Sequence, residues 1–154
     1  MPKILFVCHG NICRSPMAEF VLKEILRQRG MEQGCEVASM ATSTEELGSD
    51  IHYGTRNILR KKGIPYSSRR AVQITCRDYE EYDRIIGMDC WNISNLRRIS
   101  GGDPENKVRL MMEYTGGARD VDDPWYTGDF EKTYADILAG CTALADALEQ
   151  GENW

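Results

Sequence analysis

The sequence predicts an α/β fold, with one domain over residues 1–154 built from a four-stranded parallel sheet and helices on both of its faces. Two observations carry this prediction. Short apolar runs alternate with longer helix-like segments along the chain, and such repetition builds parallel sheets covered by helices. In addition, 154 residues fit one compact domain, and no internal repeat, low-complexity tract or linker divides them.

Four short apolar runs are the predicted strands. The first is continuous and partly β-branched, as expected of a strand buried on both faces. Because parallel sheets bind ligands at the carboxyl ends of their strands, the segment after this strand is where chemistry is expected. The four runs are residues 3–7, 36–41, 82–88 and 108–112.

Four longer segments are the predicted helices. The first begins at Ser15 and Pro16, because serine is a good N-cap and proline fits the first helical position. Glu19 then falls in its first turn, and Gly30 ends it. The other three are residues 51–62, a segment capped by Asp89 that ends near residue 99, and residues 129–148.

Composition excludes several classes of protein. Apolar residues make up 42% and charged residues 28%, which is typical of a globular chain rather than a disordered one. No apolar run approaches the roughly 20 residues that span a bilayer, and the N-terminus lacks the apolar region of a signal peptide. Transmembrane, secreted-disulfide, collagenous and coiled-coil proteins are therefore excluded, and no membrane partner is expected.

Charge and cysteine content narrow the partners and the compartment. The net charge is −5, with 19 basic residues scattered among 24 acidic ones, so a nucleic-acid partner is not expected. Six cysteines without a secretory signal indicate a reducing compartment, and we expect a cytoplasmic location. The two histidines have no paired spacing, so neither a metal nor another cofactor is expected.

The segment between the first strand and the first helix is Cys8-His9-Gly10-Asn11-Ile12-Cys13-Arg14-Ser15. A loop in this position turns successive backbone N–H groups inward and has the positive end of a helix behind it, which makes an anion-binding nest. Gly10 permits a backbone conformation that most residues avoid. Arg14 is able to bind two phosphate oxygens at once through its guanidinium, whereas a lysine is unable to do so. The sequence therefore predicts a phosphate-binding loop after the first strand.

Such an electropositive loop favours the thiolate form of Cys8, which would lie beneath a bound phosphate as a nucleophile. Ser15 has two compatible roles, as a helix cap and as a hydrogen-bond donor that helps the sulfur leave a phosphocysteine. The alternative for Cys8 is a small buried hydrophobe, since the chain has six cysteines and a Cys-x5-Arg pattern arises easily by chance. A Walker-type loop fits less well, because no Gly-Lys-Ser/Thr follows a strand.

Residues 7–16, Val-Cys-His-Gly-Asn-Ile-Cys-Arg-Ser-Pro, resemble the signature loop of the low-molecular-weight protein tyrosine phosphatases, which that family also carries at its N-terminus. The resemblance implies that Cys8 is the nucleophile and Arg14 the phosphate clamp. It also implies that Asn11 shapes the loop and that Cys13 traps oxidised Cys8 as a reversible disulfide. The alternative for Cys13 is a packing residue. The implied substrate-binding residues are His9, Gly10, Asn11, Ile12, Cys13, Ser15, Trp125 and Tyr126.

Cleavage of a phosphate ester needs a proton for the departing oxygen, and Asp123 is the candidate donor. Pro124 keeps Asp123 out of helical geometry, while Asp122 and the bound phosphate favour its protonated form. The residues alone favour an acidic, solvated turn in which an aspartate caps a helix. However, Asp-Pro followed by two aromatics and a glycine is similar to the family's acid loop, which implies that Asp123 is the general acid and base. Asp122, where the family often has proline, is a minor rival.

The same resemblance implies that the two aromatics after Pro124 line the mouth of the site and pack on the substrate's ring. Since an aromatic side chain also serves packing, we expect either Trp125 or Tyr126 to face the core. Ser39 matches a family serine that supports Asn11. Asp89 and Asn92 are expected to be structural helix caps.

The similarity covers nearly the whole chain, with three departures from the family's pattern. Glu45 falls where many relatives carry an aromatic pocket wall, so the pocket is either more open or more selective for positive charge, unless Glu45 is simply an exposed loop residue. Arg69, or Ser68 with a one-residue offset, stands where the family's histidine steadies the loop asparagine. His52 and Gly54 replace an acidic and arginine pair.

The leading interpretation is a cysteine-dependent phosphatase that acts on phosphotyrosine-containing proteins or small aryl phosphates, as a monomer or weak dimer. A phosphoarginine phosphatase is disfavoured, because those relatives usually carry threonine where this chain has Ile12. An arsenate reductase needs a relay of further cysteines, and Cys76 and Cys90 are better explained by packing. A non-catalytic phosphate-binding module is the third alternative, but it would not need a nucleophile together with an acid.

Overall fold

Four parallel strands form the centre of the protein in a computed structural model that describes residues 1–154. The strands are β1 (Lys3–Cys8), β2 (Glu36–Ala41), β3 (Arg84–Gly87) and β4 (Val108–Leu110). Their order across the sheet is β2-β1-β3-β4, so the winding of the chain changes direction beside β1. A crevice at the carboxyl ends of β1 and β3 is the position where such sheets bind ligands.

Six α-helices surround the sheet, and two short 3₁₀ helices lie at Glu32–Gly34, before β2, and at Met111–Thr115, after β4. None of them combines the length and the apolar character needed to cross a bilayer. The helices are α1 (Arg14–Gln28), α2 (Tyr53–Lys61), α3 (Cys76–Glu81), α4 (Cys90–Ser100), α5 (Pro124–Thr127) and α6 (Phe130–Gln150).

Both faces of the sheet are covered, as the alternation along β1 shows. Ile4 and Phe6 point into a cluster of 24 buried residues that α1, α2 and α6 share. Leu5 and Val7 point the other way, into a smaller cluster with residues of α3 and α4. Because side chains alternate along a strand, a continuous apolar run is what a strand buried on both faces requires. The predicted four-stranded parallel sheet with helices on both faces is confirmed.

The start of α1 differs from the sequence prediction. The helix begins at Arg14, and no side chain caps it. Ser15 is therefore not the N-cap, because its hydroxyl turns back towards Cys8 in the preceding loop. Glu19 consequently lies beyond the first turn, where it accepts a hydrogen bond from Ser39 at 2.7 Å.

Three further elements depart from the sequence prediction. The fourth strand is shorter than predicted and passes into a 3₁₀ turn, which Glu113 stabilises by accepting the Leu110 N–H at 3.0 Å. Helix α3 was not predicted, although Thr75 and Asp78 form a complete capping box before it. Helix α5 is a single turn within the acidic segment that was predicted as a loop.

Close packing of α6 against the turn after β4 makes Gly140 sensitive to substitution. A Cβ at this position would lie 2.5 Å from Met111 Cε and 3.3 Å from the Met111 carbonyl oxygen. We expect Gly140→Ala to lower the free energy of unfolding by about 1–3 kcal/mol, because overpacking outweighs the better helix propensity of alanine. Urea unfolding measures this loss. Gly34→Ala, with nothing within 4 Å of the added carbon, is the matched control, and an equal loss in both variants would contradict the packing argument.

Candidate active site

Cys8 lies at the carboxyl end of β1, 3% exposed, at the base of the signature loop (residues 8–15). Its Sγ atom accepts the backbone N–H groups of Asn11 at 3.3 Å and of Ser15 at 3.4 Å. The Ser15 hydroxyl lies 3.1 Å from the same sulfur. Backbone N–H groups that converge on one atom stabilise negative charge there, which is the environment expected of a nucleophilic cysteine.

Asn11 holds the shape of the signature loop from behind. It is fully buried and has a positive φ of 58°, a conformation that is strained for most side chains. Its amide nitrogen donates to Ser15 Oγ at 2.8 Å and to Ser39 Oγ at 3.0 Å, which confirms the expected contact with Ser39. Because Ser15 Oγ accepts from Asn11, its own proton is available to Cys8 Sγ at 3.1 Å, with the Met40 carbonyl oxygen at 3.5 Å as the longer alternative.

Arg69, rather than Ser68, takes the place expected of a loop-steadying residue. Its guanidinium donates to the Asn11 carbonyl oxygen and, at 3.4 Å, to the carbonyl oxygen of Ser49. Ser68 instead donates to Asp50 at 2.7 Å. Burial lowers the pKa of Arg69, but an arginine keeps its charge under any ordinary condition. A positive group therefore contacts the backbone of the loop without lining the pocket.

Arg14 is held rigidly beside the nucleophile. Its Nη1 atom donates to Asp89 Oδ2 at 2.7 Å and to the Val121 carbonyl oxygen at 2.9 Å, while Nη2 lies 3.4 Å from Asp123 Oδ2. Burial opposes the charge on Arg14, but Cys8 and the two carboxylates outweigh it and raise its pKa. The guanidinium is thus a fixed positive charge at the carboxyl edge of the sheet.

Asp89 is a site residue whose second role the sequence analysis missed. Its Oδ1 atom accepts the Asn92 N–H at 2.8 Å, which is the predicted cap of α4. The other oxygen of the same carboxylate is the Arg14 partner. The signal was present in the order of the chain, since Asp89 follows the third strand and the carboxyl ends of parallel strands meet at one edge.

Asp123 caps a helix and also lines the pocket, so its position is compatible with both roles that the sequence left open. Its Oδ1 atom accepts the Trp125 N–H at 3.0 Å and caps α5, and Oδ2 faces Arg14 in the pocket. Asp122 points away, to Lys132 at 2.7 Å, and this hydrogen bond lowers its pKa. A carboxylate paired in this way is a poor proton donor, and Asp122 does not line the pocket. The geometry therefore favours Asp123 over its rival.

A pocket of about 110 Å³ lies above the signature loop. Nine of the sequence-predicted site residues line it, whereas Asn11 and Ser15 are buried within the loop and contact Cys8 Sγ instead. Trp125 and Tyr126 are 56% and 84% exposed, so the expectation that one of them faces the core is wrong. The lining residues are Cys8, His9, Gly10, Ile12, Cys13, Arg14, Glu45, Glu46, Asp123, Trp125 and Tyr126.

Glu45 and Glu46 form an acidic rim of the pocket. His9 Nε2 lies 2.9 Å from Glu45 Oε2, and both side chains are about half exposed or more. Glu45 is therefore an exposed loop residue that also lines the pocket, so the two interpretations of it are compatible. Glu46 was not predicted as a site residue. It lies beside Gly10 because the loop after β2 packs on the signature loop.

The other cysteines lack the converging N–H contacts that surround Cys8. Burial and the neighbouring Cys8 raise the pKa of Cys13 to about 12, which keeps it a neutral thiol, and its redox role stays a prediction. Cys76 and Cys90 are exposed and outside the pocket, so the packing role expected of them is wrong. No group of three or more histidine, cysteine, aspartate or glutamate side chains is arranged to hold a metal ion.

Asn11 offers a test of how the loop is maintained. We expect Asn11→Ala to lose about 1–3 kcal/mol of unfolding free energy, because buried partners lose their donor and alanine is strained at positive φ. The kcat/KM for an aryl phosphate should fall roughly tenfold, the equivalent of one hydrogen bond. Asn11→Gly, which adopts positive φ freely, should recover part of the stability but none of the activity. Equal stability of the two variants in urea would contradict the strain argument.

The site has the features expected of a cysteine-dependent phosphatase. A thiol accepts backbone N–H groups beside a fixed arginine and a carboxylate, at the carboxyl edge of a parallel sheet. The family model "Low molecular weight phosphotyrosine protein phosphatase" matches residues 3–153. The chain belongs to this family, whose curated members are named protein-tyrosine-phosphatases, and the resemblance drawn from the sequence is confirmed.

Individual relatives agree with this assignment. The chain is 36% identical over 152 residues to the low molecular weight protein-tyrosine-phosphatase YfkJ of Bacillus subtilis, with 97% of each chain covered. The crystal structure of YfkJ superposes with a TM-score of 0.95, covering 99% of this chain and 98% of that one. The Streptococcus pyogenes low molecular weight protein tyrosine phosphatase is 44% identical, with a TM-score of 0.87 and coverage of 96% and 93%. A Drosophila arginine phosphatase is 27% identical, with a TM-score of 0.87 and coverage of 96% and 97%.

Proposed function

We propose that this phosphatase hydrolyses phosphotyrosine in two steps through a phosphocysteine on Cys8. The observation that carries the proposal is the set of contacts around the Cys8 sulfur, which accepts two backbone N–H groups and faces the Ser15 hydroxyl in a pocket shared with Arg14 and Asp123. A thiolate held in this way is a nucleophile positioned to attack a phosphoryl group bound in the signature loop.

In the first step, the Cys8 thiolate attacks phosphorus, an S–P bond forms, and the P–O bond to the tyrosine breaks. Asp123 gives its proton to the departing phenolate oxygen. Arg14 and the inward N–H groups of the loop meet the charge on the phosphoryl oxygens. Arg14 needs no movement to do so, because Asp89 and the Val121 carbonyl already fix it.

In the second step, Asp123 takes a proton from water as the water oxygen attacks phosphorus. The S–P bond then breaks, inorganic phosphate forms, and the electron pair returns to the Cys8 sulfur. The Ser15 hydroxyl stabilises the departing thiolate from 3.1 Å. Trp125 and Tyr126, both exposed at the mouth, supply the apolar surface on which an aromatic ring packs.

A phosphoarginine phosphatase is the second candidate, and the acidic rim favours it. Glu45 and Glu46 line the pocket, and carboxylates at that position are suited to the N–H groups of a phosphorylated guanidinium. Against it stands Ile12, whose apolar side chain in the pocket offers no hydrogen bond to such a substrate.

Release of phosphate from matched phosphotyrosine and phosphoarginine peptides, with and without a chelator, tests the proposal. We expect higher kcat/KM for phosphotyrosine and no effect of chelation. Higher kcat/KM for phosphoarginine would move the second candidate ahead. Phosphate binding without turnover of either peptide would instead favour a non-catalytic binding module. Reduction of arsenate by thiols would then be assayed, to test for an arsenate reductase.

We further propose a cytoplasmic location and activity as a monomer or weak dimer. The chemistry requires Cys8 as a reduced thiol, which a reducing compartment maintains. All of the residues in the proposed steps come from one chain, so no second copy is needed to complete the site.

A further inference from the structure

His52 lies where three parts of the site meet. Its backbone N–H donates to the Ile12 carbonyl oxygen of the signature loop at 2.8 Å. Its ring stacks on Phe130 at the start of α6, with 5.4 Å between centroids and 16° between planes. The edge of the same ring meets Trp125 of α5, with 5.6 Å between centroids and 74° between planes. One residue thus contacts the signature loop through its backbone and the acid-bearing helix through its side chain.

The ring is held in a single orientation. Its Nδ1 atom accepts the Gly54 N–H at 3.0 Å, so that the imidazole is the N-cap of α2. Burial lowers the pKa of His52, which keeps the ring neutral and Nδ1 an acceptor. Gly54 is what lets Phe130 approach, since a Cβ there would lie 2.3 Å from the Phe130 Cζ atom. Phe130 in turn packs on Ile12 and Cys13 of the signature loop.

The contact with Trp125 reaches the acid through a hydrogen bond. The Trp125 N–H is the group that Asp123 Oδ1 accepts at 3.0 Å. Displacement of Trp125 therefore displaces the cap of α5 and with it the second oxygen of Asp123, which faces the pocket. Helix α5 is a single turn, and its own hydrogen bonds provide little to hold it in place.

We propose that His52 is a positioning residue for proton transfer, whose ring fixes Asp123 relative to the signature loop through Trp125. The inference rests on the proposed function, because it concerns the acid step of that reaction. His52 and Gly54 act together. His52 provides the aromatic surface, and Gly54, which has no Cβ, leaves room for Phe130 to stack on it.

Two variants separate the ring from the cap. His52→Asn keeps an acceptor for the Gly54 N–H and loses the aromatic surface. His52→Phe keeps the surface and loses the acceptor. The readout is kcat/KM for phenyl phosphate and for 4-nitrophenyl phosphate, because only the poorer leaving group of the first depends strongly on a proton donor. Inorganic phosphate as a competitive inhibitor reports whether the signature loop is intact.

We expect His52→Asn to lower kcat/KM for phenyl phosphate about tenfold and that for 4-nitrophenyl phosphate no more than about threefold, with unchanged inhibition by phosphate. His52→Phe should keep the wild-type ratio of the two substrates, and its melting temperature should fall because α2 loses its cap. Phe130→Leu, which removes one of the two rings stacked on His52, should reproduce the His52→Asn ratio and serves if His52→Asn does not fold.

Equal losses on both substrates in His52→Asn and Phe130→Leu would overturn the inference, as would a His52→Phe variant that behaves like His52→Asn. These outcomes leave the proposed function intact, since the wild type still turns over both compounds. A wild type without turnover of either compound would overturn the proposed function and the inference together.

Discussion

Replacement of Cys8 by serine should abolish turnover of a phosphotyrosine peptide, with a fall in kcat on the order of 10⁴–10⁶-fold, the range expected when a covalent nucleophile is removed. The serine hydroxyl is not ionised at neutral pH, so the N–H groups that surround the sulfur would face a weak nucleophile. Phosphate binding should persist, because Arg14 stays fixed by Asp89. Phosphate-release kinetics and calorimetric titration with inorganic phosphate measure the two effects.

Cys76→Ser is the matched control for this prediction. Cys76 is exposed, lies outside the pocket, and donates only to the Ile99 carbonyl oxygen at 3.2 Å, a contact that a serine hydroxyl is able to make. Its activity should equal that of the wild type. Turnover by Cys8→Ser at even a tenth of the wild-type rate would exclude Cys8 as the nucleophile.

Replacement of Asp123 by asparagine should have the second largest effect. We expect kcat/KM for a phosphotyrosine peptide to fall by about 10²–10⁴-fold, the usual contribution of a general acid. Asparagine still accepts the Trp125 N–H, so α5 keeps its cap and the loss is one of proton transfer rather than of structure. Melting temperatures of the variant and the wild type should therefore agree.

Asp122→Asn is the control that separates the two adjacent carboxylates. Asp122 is exposed and pairs with Lys132 on the outer side of the segment, so its loss should leave kcat/KM within about twofold of the wild-type value, as for most surface changes. If Asp122→Asn lost activity while Asp123→Asn kept it, the assignment of the acid would be reversed.

The parts of the fold that could be predicted from sequence are those with a local signal. The continuous apolar run of β1 predicts burial on both faces, and Asp89 before α4 is a cap that the structure confirms. The helix start at Ser15 was wrong although its local signal is strong, because the hydroxyl makes a hydrogen bond with Cys8 instead. The requirements of the site took precedence over the propensity of the helix there.

What could not be predicted depends on contacts between distant segments. Asp89 and Arg14 are separated by 75 positions, and only the order of the strands brings them together. The stacking of His52 on Phe130 depends on how α2 packs against α6. A single histidine in the sequence does not predict that packing. Arg69 was found through a resemblance, but its contact with the Asn11 carbonyl oxygen required the structure.

The most direct test of the central claim is to trap the intermediate. The enzyme is quenched in denaturant within milliseconds of mixing with a phosphotyrosine peptide, and its proteolytic fragments are analysed by mass spectrometry. We predict one phosphoryl group on the fragment that contains Cys8, and none in the Cys8→Ser variant. A phosphoryl group on any residue other than Cys8 would contradict the account. Absence of a phosphoryl group on Cys8 would also contradict it if the reaction retains the configuration at phosphorus, because retention shows that the reaction has two steps.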